Sequence, residues 1–182
     1  MGARTDGPLP PGVRGSMTGP IAELFAEYYE SLVRMLYRRT GDRDRAEEIA
    51  QETFARAVAA PPRNPRPWLF AVALNLVREE GRRAVRHDRR LVLYKAEQPE
   101  SAEGPDEALD RGERIARVRS ALASLSERDR EALLLKAEGF SYEDIATTLG
   151  LARGAVGTTL SRARRRLVLA YRAEEGARDA AS

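Results

Sequence analysis

The chain has no cysteine among its 182 residues and a single histidine, His87. The first absence excludes disulfides, thiolate metal centres and a cysteine nucleophile. His87 lies inside an arginine-rich run, where it reads as a solvated or phosphate-facing side chain and not as a metal ligand. No apolar run approaches the roughly 20 residues of a membrane span, and no secretory core is visible. The expected protein is soluble and cytoplasmic, with no membrane insertion. No compact carboxylate cluster accompanies the lone histidine, so no nucleophile, base and metal set emerges and no cofactor is expected.

Hydrophobic residues make up 42% of the chain, enough for a modest core, and charged residues 32%, which suits helices with wet faces. Net charge is only +3, so how the signs are distributed matters more than their sum. The arginines gather at the end. Arg153, Arg162, Arg164, Arg165, Arg166 and Arg172 meet no acid between positions 153 and 172. An ordinary solvated helix pairs its charges at i, i+4, whereas a one-signed helix suits a phosphate surface.

That basic stretch belongs to a helix-turn-helix pattern over residues 141–167. Ser141 is an N-cap candidate with Asp144 three residues on, and Ile145, Ala146 and Leu149 give the first helix its apolar side. Gly150 stands where the chain must turn with positive φ. Val156, Leu160, Ala163 and Leu167 form a stripe on the second helix, with Gly154, Thr158, Ser161, Arg162 and Arg165 opposite. In such a motif the second helix enters the DNA major groove.

Upstream, residues 1–20 are rich in glycine and proline and are expected to be disordered, with Met17 a second candidate start. Leu24, Phe25, Tyr28, Leu32, Met35 and Leu36 make a helical stripe. Thr40-Gly41-Asp42 ends that helix, and Asp42 can cap the next. There Ala46, Ile49, Ala50, Thr53 and Ala57 share one side, while Asp44, Glu48, Gln51 and Glu52 share the other. A third helix starts near Pro67 and buries Leu69, Val72, Ala73 and Leu76. Asn75, Arg78 and Arg82 share another side of it, flanked by Trp68 and Arg86. Arginines hold phosphates, an amide can read a base edge, and an aromatic can stack on an unpaired base. Trp68 suits the core equally well. From Lys95 to Glu113 acids dominate, and Pro99, Gly104 and Pro105 interrupt, which reads as a flexible acidic linker. Helices resume with Ile115, Val118, Ala121, Leu122 and Leu125, then a helix capped at Ser126 carrying Leu133, Leu134 and Leu135.

The expected fold is all-α: two small helical domains joined by the linker. The divisions fall at 1–20 (disordered), 21–92 (first domain), 93–112 (linker), 113–172 (second domain) and 173–182 (frayed tail).

Three blocks resemble the extracytoplasmic function (ECF) family of bacterial RNA polymerase sigma factors. GDRDRAEEIAQETFARA resembles sigma region 2.2, PRPWLFAVALNLVREEGRR resembles regions 2.3 and 2.4, and LSERDREALLLKAEGFSYEDIATTLGLARGAVGTTLSRARRRL resembles region 4. The likeness runs from about Ile21 to Tyr171. It implies an alternative sigma factor that binds core RNA polymerase and directs initiation at promoters with −10 and −35 elements. Asp44, Glu48, Gln51 and Glu52 would face the polymerase, through its β′ clamp helices, with the β subunit as a further partner surface. Trp68, Asn75, Arg78, Arg82, Arg83 and Arg86 would face the −10 strand. Arg153, Thr158, Ser161, Arg162 and Arg165 would face the −35 duplex. The linker would thread the polymerase's nucleic-acid channels, and anti-sigma factors are common partners in the family. Some residues depart from the pattern: Gly81 is expected to end the region 2.4 helix early, and Glu79 and Glu80 put negative charge beside DNA-facing arginines. Ala155 and Gly157 leave few long side chains at the start of the recognition helix, so part of the readout falls to DNA shape.

Two other classes compete. A stand-alone helix-turn-helix regulator explains residues 141–167 but not the first domain. A nucleic-acid enzyme explains the basic face but lacks a reacting set.

Overall fold

A computed structural model describes residues 20–88 and 107–179, with side chains described for 20–83 and 114–176. The expectations for 1–19 and for most of the acidic linker lie outside the described residues, as does the Arg86 side chain. Among the described residues there are seven helices and no strand: α1 (Pro20–Thr40), α2 (Arg43–Ala59), α3 (Pro65–Asp88), α4 (Glu107–Ala123), α5 (Glu127–Ala137), α6 (Tyr142–Leu149) and α7 (Ala155–Asp179).

The first three helices pack mutually, and α4, α6 and α5 gather around α7. On α1 the expected stripe is buried or half-buried, and Tyr29 and Val33 join it. Tyr29 stacks on Phe25 at 4.3 Å between ring centroids, and Phe54 of α2 closes on both rings. Gly41 takes φ 82°, and the Asp42 side chain accepts a 3.0 Å bond from the Arg45 amide, so the turn ends α1 and caps α2.

On α3 the burial goes further than a single stripe. Leu69, Ala73 and Leu76 are buried as expected, but so are Phe70, Leu74 and Val77. The second buried side faces α6, because the two halves of the chain lie against each other, with α1 also reaching α5. A continuous core runs from Phe25 through Phe70 and Phe140 to Leu160. The Phe70 and Phe140 rings meet edge-on at 4.7 Å, and the Arg66 guanidinium sits 4.3 Å above Phe140.

Three local expectations are corrected. Gly81 does not end α3, which continues to Asp88. Glycine weakens a helix interior by about 1 kcal/mol, and the buried turn just before it, with Arg45 bonded to Glu80 at its side, outweighs that cost. Ile115 and Val118 of α4 are largely exposed instead of buried, beside Tyr37. The helix α7 continues past Arg172: Arg117 lies over the Tyr171 ring at 5.8 Å and pairs with Glu175 at 3.6 Å, which ties the extra turns to α4.

Candidate nucleic-acid interface

The helix-turn-helix is set by three local devices. The Ser141 hydroxyl oxygen accepts from the Asp144 amide at 3.1 Å and donates to the Asp144 carboxylate at 2.7 Å, closing the cap of α6. Gly150 then adopts φ 62° and ψ 39°, the left-handed conformation that ends a helix at little cost in glycine. The Leu151 amide bonds back to the Ala146 carbonyl at 2.9 Å, which aims the chain into α7. Val156, Leu160 and Ala163 are buried against α5 and α6. That burial leaves Thr158, Ser161, Arg164 and Arg165 exposed on the outer side.

The arginines of this segment differ in what they face. Arg165 is exposed. Arg153 is exposed and pairs with Glu143 of α6 at 3.2 Å. Arg162 and Arg166 reach back to Asp129 of α5, at 2.8 and 2.7 Å, and the Asp129 side chain is fully buried. Burial pushes the Asp129 carboxyl upward, but the bonds donated by Arg162 and Arg166 outweigh it and hold the group below its ordinary range. Acids absent from 153–172 in sequence are thus supplied from α5 and α6. Arg162 braces the recognition helix against α5 while its guanidinium stays partly exposed. Asp129 was legible only as part of the Ser126 cap, which it joins through its amide at 3.2 Å. Its carboxylate faces a one-signed helix, a signal that charge pattern alone could have raised.

On α3, Trp68 is half-buried against the core, and Asn75, Arg82 and Arg83 are exposed on the outer side. The Asn75 amide oxygen accepts from Arg78 at 2.9 Å. Arg83 lies 3.9 Å from Glu79. Glu80 is held by Arg45 of α2, which also bonds Glu48, so part of the negative charge beside the DNA-facing arginines is already compensated. On α2, Asp44, Glu48, Gln51 and Glu52 are all exposed on one side, Glu52 pairing with Arg56 at 2.9 Å. The structure therefore presents a mixed surface on α2, where Asp44, Glu48 and Glu52 stand among Arg43 and Arg56, and arginines on the outer sides of α3 and α7, with Glu79 among those of α3.

Between the halves lies a set of ion pairs that residue spacing could not reveal. Arg78 donates through Nε to Glu131 at 2.8 Å and through its terminal nitrogen to the other carboxylate oxygen. Arg34 and Arg38 converge on Glu138 at 2.6 and 2.8 Å, and Arg66 donates to the Glu138 carbonyl at 2.7 Å. The partners stand 53 to 104 residues apart in the chain. Among the described residues no group of three histidines or acids is placed to hold a metal ion, and no helix is long and apolar enough to cross a membrane.

Comparison with known proteins bears directly on this arrangement. Residues 24–87 match the model of Sigma-70 region 2, and residues 115–167 match Sigma-70, region 4. The chain is 37% identical over 134 residues to the ECF RNA polymerase sigma factor EcfG of Rhodopseudomonas palustris, covering 70% of this chain and 72% of the relative. It is 38% identical over 158 residues to the ECF RNA polymerase sigma factor SigL of Mycobacterium tuberculosis, covering 80% and 85%. Among solved structures, the sigma factor RpoE in complex with the anti-sigma factor NepR from Bartonella quintana aligns with a TM-score of 0.60 at 27% identity, covering 83% of this chain and 96% of that one. CnrH in complex with the cytosolic domain of CnrY gives the same TM-score and identity, covering 84% and 88%. With both sigma regions matched, in order and on the helices that carry these exposed side chains, the chain belongs to the ECF family of RNA polymerase sigma factors, alternative sigma factors that direct promoter-specific transcription.

Proposed function

We propose that this sigma factor docks on core RNA polymerase through Asp44, Glu48, Gln51 and Glu52, captures the −10 strand on α3 and sets its register upstream with α7. The observation that carries the reading is the joint exposure of Asn75, Arg82 and Arg83 on α3 and of Thr158, Ser161 and Arg165 on α7, with Asp44, Glu48, Gln51 and Glu52 exposed together on α2. On α3, Asn75 offers an amide to an extruded base, and Arg78, Arg82, Arg83 and Arg86 offer guanidinium groups to the backbone. Extruding a base costs a few kcal/mol, which pocket contacts must offset. Trp68 is half-buried against the core, so only part of its ring is open to a base. On α7, Thr158, Ser161 and Arg165 face the −35 duplex with Arg153 at the rim, and Arg162 holds the helix in place for them. The chain performs no chemistry itself; nucleotide addition belongs to the polymerase, in the cytoplasm. An anti-sigma factor, such as the NepR bound to the similar RpoE chain, fits as a regulatory partner.

The test is run-off transcription with purified core polymerase. Asn75→Ala is expected to impair promoter opening more than binding to the −35 duplex. Equal losses in both assays would remove Asn75 from the captured strand, and operator binding without any polymerase-dependent initiation would favour a stand-alone regulator.

A further inference from the structure

Two cations of α7 are spent inside the protein. Arg162 and Arg166 stand about one helical turn apart, and both donate to Asp129, at 2.8 and 2.7 Å. Their side chains are 42% and 54% exposed, whereas that of Asp129 is fully buried. The acceptor is itself anchored, because its amide bonds the Ser126 hydroxyl at 3.2 Å in the cap that opens α5. It titrates below its ordinary range, so its charge persists at neutral pH.

Arg153 offers the contrast. Its pair with Glu143 is exposed on both sides, so water screens it and a phosphate can displace it at little cost. A phosphate that took Arg162 or Arg166 would instead strip a bond from a carboxylate that solvent does not reach. Taking both would leave a buried charge unpaired, a heavily disfavoured state. Position decides what these cations could otherwise do. Arg162 follows Thr158 by four residues and adjoins Ser161, so it borders the side of α7 that carries Thr158, Ser161 and Arg165. Arg166 lies one turn further along the same border. Released, both guanidinium groups would be at the edge of a duplex lying along that side, where phosphate contacts are indifferent to sequence.

Resting on the reading of α7 as the helix that faces the −35 duplex, we propose that Asp129 is a positioning residue that sets specificity: it withholds Arg162 and Arg166 from the DNA backbone, so that duplex binding depends on Thr158, Ser161 and Arg165. Free arginines reach phosphates in many registers, including those in which no base is read, so they favour wrong sequences more than the right one. Clamping α7 to α5 removes that freedom and fixes the angle at which the outer side chains are presented.

The test uses the full chain with Asp129→Asn, which keeps the side-chain shape and removes the charge. Binding of a fluorescein-labelled, mixed-sequence 20-bp duplex is followed by anisotropy between about 50 and 200 mM salt. Each recovered phosphate contact adds about 0.9 to the logarithmic salt slope, so Asp129→Asn is expected to steepen it by up to about 1.8 and to tighten binding on the order of tenfold at low salt. Adding Arg162→Gln and Arg166→Gln to that variant should cancel both gains. A loss of structure alone would weaken binding without steepening the slope. In run-off transcription with core polymerase, on barcoded templates randomised in the −35 block, the Asp129→Asn holoenzyme should use a broader set of sequences than the parent. Arg166→Gln in the parent background covers the case of a poorly folded Asp129 variant; it should leave the slope where it is, because Arg166 already lies off the backbone. A folded Asp129→Asn chain with the parent's slope, or a fall of about 0.9 in Arg166→Gln, would overturn the withholding of these arginines. A steeper slope with an unchanged set of templates would overturn the role in specificity. If Arg165→Ala does not lower the parent's slope, the duplex-facing reading of α7 falls instead.

Discussion

Truncating Phe140 to alanine tests whether the two halves fold as one body. Phe140 is fully buried between Phe70 and Arg66, at 4.7 Å and 4.3 Å. Removing a buried phenylalanine ring costs about 3–5 kcal/mol, and the loss of the Arg66 contact adds about 1 kcal/mol. Against a total stability of about 5–15 kcal/mol, this is a large fraction. At a urea slope of about 2 kcal/mol per M, a total loss of about 4–6 kcal/mol lowers the midpoint by about 2–3 M. Trp68 is the only tryptophan and sits on α3, so its fluorescence follows the first half, while far-UV circular dichroism follows all helices. In the parent the two transitions should coincide. In Phe140→Ala the dichroism transition should begin earlier than the Trp68 transition, because the second half loses its purchase on α3. A midpoint shift below about 0.5 M, with the two probes still coincident, would refute the shared core.

Other consequences are simpler to check. Gly81→Ala should stabilise the protein by up to about 1 kcal/mol, since an added Cβ meets nothing within 4 Å and the helix continues through it. Thermal melts should show a rise of about 2–4 °C. Asp129 titrates below its ordinary value of 3.8 when folded, so its contribution to stability is complete above that value and is lost as pH falls through the folded one. The gap in melting temperature between the parent and Asp129→Asn should therefore be full above pH 3.8 and close on acidification below it. Arg165→Ala should weaken −35 duplex binding and reduce the logarithmic salt slope by about 0.9; an unchanged slope in fluorescence anisotropy titrations would remove Arg165 from the phosphate contacts.

Much of the local structure was legible because it depends on neighbours in sequence. Asp42, Ser126 and Ser141 cap the helices they precede, and Gly150 turns the chain where the pattern demands it. The apolar sides of α1 and α2 followed from spacing alone. What spacing could not show is pairing over long separations. Phe70, Leu74 and Val77 lie off the expected stripe of α3 because α3 packs on two sides, and the second partner comes from the other half. The same reason hid Glu131 and Glu138, which look like ordinary solvated acids until Arg78, Arg34 and Arg38 are brought to them. Gly81 misled in the opposite sense: its local preference was read correctly but was outweighed by packing and by the Arg45 bridge to Glu80. Ile115 and Val118 have helical spacing, yet the groove beside Tyr37 leaves them exposed. For the candidate interface, residue types pointed to nucleic acid, while which arginines brace the fold and which face outward required coordinates.

The aromatic contact between Phe70 and Phe140 also bears on how such chains can be recombined. Region 2 and region 4 look like exchangeable cassettes, each with its own family model. Here they are keyed to each other by one ring from each. A hybrid that joins this region 2 to a region 4 with a small residue in place of Phe140 and no acid in place of Glu131 inherits an uncovered phenylalanine on α3 and an arginine fork with no carboxylate. Such hybrids should express with exposed apolar surface unless both members of the key travel together. For engineers of orthogonal promoters, positions 70, 78, 131 and 140 form one heritable unit, to be exchanged as a set.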